Sequence, residues 1–336
     1  MIGLTVRKVS MTEMQKGIFL DCQIGNPDAY YIAATIRIRN LDEALLEQAL
    51  TLLIHEQAAL RCCVDFVDDL PGLAVHREVE VPLVKYDLAP EQENREARAR
   101  NIIEQEMSRP FDLFRPPLFR AVLVRLDKQT HLLMICIHHL AADGLSLNIL
   151  ARKWFDYYDA LASGRLIALR QDDGFIEFIL QEIERLNNGN CHEHRQYWVD
   201  KMRGAEPLAL QPDYPASQWM QGVGREMRFP VSSNLFKRLQ ERAAELETTG
   251  FMFVMAAFAL LLHQYTRQED IVYASPFTYR PDICLEETIG CFEWFTRLKR
   301  GLPEGRKSSV FLISEVMRIR SSIWRTNWTT AMSYGL

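Results

Sequence analysis

Seven residues near the middle of the chain, His138-His139-Leu140-Ala141-Ala142-Asp143-Gly144, bring two imidazoles and a carboxylate into one short segment. Imidazole changes charge near neutral pH, so a histidine held there can accept or return a proton during a reaction. The Asp-Gly pair fits a turn that fixes such a base. Other chemistry in the sequence is weaker. Gly144 and Ser146 copy part of a serine nucleophile elbow, but Asn148 stands where that turn needs glycine. Cys191, His192 and His194 carry metal-ligating groups, yet their spacing fits no common zinc pattern and they follow a polar Asn-Asn-Gly-Asn loop. They read as a solvated helix start. Gly222-Val223-Gly224 lacks the third glycine of a nucleotide loop, and no phosphate-binding P-loop is present.

The elements around the seven residues divide their roles. Leu132 to Ile137 is apolar on both faces, which predicts a strand buried on both sides. Side chains alternate along a strand, so His139 continues the face of Leu133, Ile135 and Ile137, and His138 that of Leu132, Met134 and Cys136. The two histidines therefore cannot share one role. His138 is expected to point into the fold as a hydrogen-bonded core residue, and His139 is the candidate for function. After Gly144 the period changes: Leu147, Leu150, Trp154, Tyr157 or Tyr158, and Leu161 recur as on an amphipathic helix. The segment is a strand-turn-helix junction, and Asp143, a carboxylate with a structural task at the turn, needs a cation or several donors around it.

At 336 residues the chain is long for one core, and two lobes are the better expectation. With 48% hydrophobic residues it suits a compact protein, and a net charge of −5 argues against a general nucleic-acid binder. Charges at Arg7, Lys8, Glu13 and Lys16 interrupt the N-terminus, leaving no signal-peptide core. The longest apolar run, Phe251 to Leu262, is too short to span a bilayer and reads as a buried helix. A cytoplasmic protein without membrane contact is expected. Seven cysteines without a Cys-x-x-Cys pair point away from a disulfide framework, with Cys62 and Cys63 reduced.

Along the chain, residues 30 to 39 read as a strand with Arg37 and Arg39 outward, and Asn40 with Glu43 as a capping pair for a helix from Asp42 to Ile54. A second helix is expected from Glu91 to Met107, then a hairpin of Phe119–Leu126 with Thr130–Ile137. The polar stretch Gln181 to His194 is the best lobe boundary, giving domains 1–185 and 186–336. Beyond it a strand near Gly224 to Phe229, a helix from Ser232 or Ser233 to Glu247, a buried helix from Phe251 to Tyr265 and a strand from Asp270 to Ala274 are expected. No short-period repeat is present.

With these residues in view, the sequence resembles the condensation domains of nonribosomal peptide synthetases, within the chloramphenicol acetyltransferase-like superfamily. Besides the HHxxxDG segment, Met14-Gln15-Lys16-Gly17 is similar to the family's opening motif, and Ala59-Leu60-Arg61 to its second, with Gln57 where histidine is usual. Phe111-Asp112-Leu113, Pro117-Leu118-Phe119-Arg120 and Phe175-Ile176-Glu177-Phe178 fit further family segments. So do Tyr197-Trp198 through Gly204 and Pro207, and Gln268 to Val272 with Pro276 and Arg280. Ile289-Gly290-Cys291-Phe292 matches the start of the fifth motif, but Glu293-Trp294-Phe295 replaces the family's Val-Asn-Thr. Such domains continue for roughly a hundred further residues, a domain-sized length, so the second lobe is expected to be incomplete.

The resemblance implies an α/β (α+β) fold of two acetyltransferase-like lobes in a V, with a tunnel between them. Carrier proteins would present donor and acceptor on phosphopantetheine arms, no cofactor would be bound tightly, and the acceptor amine would attack the donor thioester. His139 would be the catalytic residue, with the Gly144 backbone N–H facing the developing oxyanion at a helix start. His138, Asp143, Arg280 and Arg61 would build the site, with Asp143 and Arg280 as an ion pair. The basic stretch Arg297, Lys299, Arg300, Arg306 and Lys307 is the candidate carrier contact. Three alternatives share this reading: an epimerisation domain of the same superfamily, a free-standing coenzyme A-dependent acyltransferase, and a truncated, non-catalytic docking remnant.

Overall fold

The computed structural model describes residues 5–25, 27–90, 93–188, 192–215, 227 and 229–301, with 5–6 and 294–301 described by their backbone alone. The chain divides into two compact units, 1–189 with 276–294, and 190–275 with 295–336.

The first unit is built on two sheets. In one, β1 (Thr5–Ser10), β4 (Leu70–His76) and β3 (Cys62–Val67) run in the order β1-β4-β3. In the other, β2 (Tyr31–Arg39), β7 (Thr130–His138), β6 (Phe119–Arg125) and β5 (Leu83–Asp87) run in the order β2-β7-β6-β5. The expected hairpin is β6 with β7, antiparallel in a register that sets Leu123 against Leu133. β2 covers the other edge of β7, pairing Tyr31 with His138.

Being central, β7 is covered on both faces, which is why its sequence does not alternate in polarity. Leu133, Ile135 and Ile137 join the larger core with α1 (Glu13–Ile24), α2 (Glu43–Glu56), α4 (Gly144–Ala162) and α5 (Gly174–Asn187). Leu132, Met134 and Cys136 join a smaller core under α3 (Arg95–Ser108). Trp154 of α4 is fully buried and donates its indole N–H to the Leu46 carbonyl of α2 at 2.8 Å, fixing the helix that starts at the Asp-Gly turn.

Two local expectations change and one lies outside the described residues. Asp42, not Asn40, caps α2: its carboxylate accepts from the Ala44 and Leu45 N–H groups, while Asn40 turns the chain out of β2 with φ 54°. Residues 224–226 and 228 of the strand expected over 224–229 lie outside the described ones. The third concerns the second unit, which holds α6 (His192–Met202), α7 (Ser233–Glu245) and α8 (Gly250–Thr266). α8 forms where the apolar run predicts a helix, but only Ala256, Ala259 and Leu262 are buried, while Phe251, Val254, Phe258 and Leu261 are exposed. A helix apolar on every side needs neighbours on every side, and those among the described residues cover one face. No single described helix is long and apolar enough to cross a membrane. Strands β8 (Asp270–Thr278) and β9 (Glu293–Gly301) pair with each other.

Candidate active site

The end of β7 splits its two histidines as the pleat requires. His138 is fully buried among Tyr30, Tyr31 and Phe111, with Tyr31 and Phe111 edge-on at 5.7 and 6.0 Å. Its Nδ1 accepts the Leu140 N–H at 3.1 Å, so the neutral ring carries its proton on Nε2, which faces Cys22 Sγ at 3.7 Å. Burial, with lesser effects from His139 and Arg120, pushes this imidazole down to about 4. At neutral pH His138 is an uncharged core residue.

His139 keeps 20% of its side chain exposed. Its backbone N–H is held by the Tyr30 carbonyl at 2.8 Å. Its Nδ1 lies 4.0 Å from the sulfur of buried Cys291, and its Nε2 lies 3.4 Å from Glu293 Oε2. Burial pushes the Cys291 thiol up to about 12, so the sulfur keeps its proton and can offer it to Nδ1. In the neutral ring the Nε2 proton then points to the Glu293 carboxylate.

The carboxylate of Asp143 is fully buried and fully engaged. Oδ1 accepts from the Ser146 N–H and hydroxyl, both at 2.7 Å, capping α4. Arg280 donates to both oxygens, at 3.1 and 3.3 Å, and the Phe292 N–H reaches Oδ2 at 3.3 Å. Arg280 also donates to the Thr288 carbonyl, and its guanidinium lies over the Phe292 ring at 4.1 Å. Burial lowers its pKa, opposed by Asp143. The turn is thus bolted to residues 280–292 of the same compact unit.

Several residues that sequence reasoning left without a role join this frame. Gln15, cap partner of Thr12, donates to the Leu140 carbonyl at 2.9 Å and ties α1 to the turn. Ser146 Oγ also lies 2.8 Å from the Gly290 carbonyl and accepts the Gly290 N–H at 3.1 Å. Buried Gln57 donates to Asp172 at 3.0 Å and accepts the Ile289 N–H at 2.9 Å. Glycine is required at 290, since a Cβ there would lie 2.3 Å from the Phe175 ring. Glu293 is the largest surprise: noticed in the sequence as a departure from a motif, it touches both His139 and, through Oε1 at 3.5 Å, the Gly144 N–H. Its charge beside a histidine was the signal available.

Arg61 is not at the turn's hydrogen-bonded frame. It is buried and donates to the Ile54 and His76 carbonyls at 3.1 and 2.6 Å, joining α2 to β4. The side chains of Arg297, Lys299 and Arg300, and all of Arg306 and Lys307, lie outside the described residues.

The family described as the Condensation domain matches residues 6–293. The chain belongs to the condensation-domain family. Among curated relatives, tyrocidine synthase 3 of Brevibacillus parabrevis is 32% identical over 309 residues, covering 91% of this chain and 5% of that protein. Gramicidin S synthase 2 of Aneurinibacillus migulanus is 28% identical, with 91% and 7% covered. This condensation domain therefore spans about a twentieth of the length of such synthetases.

Solved structures give the fold. The first condensation domain of the calcium-dependent antibiotic synthetase, bound to a substrate analogue, superimposes with a TM-score of 0.76 at 21% identity, over 95% of this chain and 76% of that one. The epimerization domain from the third module of tyrocidine synthetase B gives 0.81 at 20%, over 94% and 73%. The fold is the mixed α/β architecture of chloramphenicol acetyltransferase-like domains.

Proposed function

We propose that this condensation domain forms an amide bond between a carrier-bound acyl or aminoacyl thioester and an amine acceptor, carrier-bound or free, with His139 as its catalytic residue. The observation that carries this reading is the unequal state of three groups on one turn. His138 is buried and neutral, and Asp143 is consumed by Arg280, Ser146 and Phe292. His139 alone of the three keeps an exposed edge.

The chemistry asks little of a base. An α-amino group has a pKa of about 7.7 to 8.0, so part of it is neutral near pH 7 without help. His139 takes a proton from the nitrogen as the tetrahedral adduct forms and passes it to the departing sulfur, which leaves as a free carrier thiol. Holding two tethered reactants together supplies much of the rate. The Gly144 N–H, at the positive end of α4, is the proposed donor to the oxyanion; the Glu293 oxygen 3.5 Å away supports that N–H as a place where negative charge rests. Donor and acceptor carriers with phosphopantetheine arms are the proposed partners, and Arg297, Lys299 and Arg300 their proposed contact.

The test is product analysis by mass spectrometry after mixing the protein with a carrier-loaded aminoacyl thioester and an amine acceptor. Amide product is expected, and donor recovered unchanged or only hydrolysed would contradict the reading. A second reading, epimerisation, is favoured by one observation: Glu293 sets a second proton-accepting group beside His139. Inverted chirality of the donor without amide product would select it.

A further inference from the structure

The acceptor's nitrogen must reach the exposed edge of His139, and that edge is not empty. Nε2 faces Glu293 Oε2 at 3.4 Å, whereas Nδ1 faces the thiol of Cys291, a buried residue. The inner nitrogen is closed off, so a substrate meets the imidazole on the side where the carboxylate stands. Glu293 is 17% exposed at its side chain. Its described polar contacts are this imidazole and the long one to the Gly144 N–H, with no arginine or lysine among them. The other carboxylate of the site differs, because Asp143 already has Arg280. Glu293 is therefore a partly desolvated anion whose counter-charge the described protein does not provide.

Near neutral pH most of an α-amino group is still an ammonium, and a poorly compensated carboxylate at the mouth of the base is what an ammonium pairs with. We infer that Glu293 is the seat of the acceptor's amine: the acceptor docks as an ammonium on the Glu293 carboxylate, beside His139 Nε2. This deepens the amide-forming reading and rests on it. With the cation seated, the neutral ring moves its proton from Nε2 to Nδ1, takes one proton from the ammonium at Nε2 and returns it to solvent. The neutral nitrogen attacks the thioester carbon, a C–N bond forms and the C–S bond breaks. His139 takes the second nitrogen proton as the adduct forms and passes it to the leaving sulfur.

The alternative is that Glu293 merely plugs the site, and binding separates the two without need of turnover. The probes are an aminoacyl-pantetheine amide with a free α-amine and its N-acetylated, uncharged counterpart, titrated calorimetrically into the chain and into Glu293→Gln. The unsubstituted chain should bind the free amine at least roughly ten-fold more tightly than the acetylated probe, as one charge-assisted hydrogen bond provides. Glu293→Gln should lose that preference, and Glu293→Asp should restore part of it. Equal affinities in the unsubstituted chain, no binding of the amine probe, or a preference unchanged in Glu293→Gln would overturn the inference. Amide formation, assayed separately, tests the parent reading.

Discussion

Arg280 spans the carboxylate of Asp143, Nη1 to Oδ2 at 3.1 Å and Nη2 to Oδ1 at 3.3 Å, with both side chains buried. Two residues 137 positions apart thereby fix the turn that carries His139. Either charge alone would be stranded in the interior, so Asp143→Asn or Arg280→Met should each cost about 3–5 kcal/mol. Urea denaturation of both single variants and the double one should show non-additive losses, because the double variant strands neither charge. Additive losses would mean the pair is not coupled.

His138 makes stability pH-dependent. Its imidazole is pushed from 6.5 down to about 4 in the folded chain. Between those values the unfolded chain binds the proton and the folded chain does not, so stability rises with pH. This contribution is complete above about 6.5 and is lost as pH falls toward about 4, to the extent of roughly 3 kcal/mol. Denaturation midpoints measured across that window should drop more steeply for the unsubstituted chain than for His138→Gln. Parallel curves would contradict the assignment.

Much of this site was legible because β7 and α4 obey simple periods. Leu132 to Ile137 announced a strand covered on both sides, and the pleat alone separated His138 from His139. Trp154 and its spaced neighbours announced the helix after the turn. What one sequence does not reveal is which distant residues complete the turn. Gln15, Gly290 and Glu293 reach it from 125 or more positions away, and Gln57 holds Ile289 beside them, through backbone groups and single side-chain atoms that leave no periodic trace. Arg61 shows the converse: it fits a motif, yet its donors serve Ile54 and His76. The capping of α2 was missed by two residues because Asn40 and Asp42 are both capping types, and only the backbone angle at Asn40 decides between them.

Gly290 has no room for a methyl group, since its Cβ would stand 2.3 Å from Phe175 Cδ2. Gly290→Ala should destabilise the chain by about 1–3 kcal/mol. It should also weaken activity, because the backbone of residue 290 holds Ser146 and the Asp143 N–H. A thermal melt indistinguishable from that of the unsubstituted chain would refute the packing argument.

Gln57 bridges Asp172 and the Ile289 N–H from a fully buried position. Gln57→Leu keeps the volume but leaves both partners short of a hydrogen bond, at about 1–3 kcal/mol. Chemical denaturation should show this loss, and a neutral or stabilising effect would show that water or another group takes over.

In the proposed reaction His139 takes the proton from the acceptor amine while the rest of the turn only holds it there. The most direct measurement is amide yield from His139→Ala on carrier-bound donor and acceptor, with the thermal melt recorded on the same sample. An unchanged melt and no amide above background are expected. Wild-type yield from a folded His139→Ala chain would contradict that role.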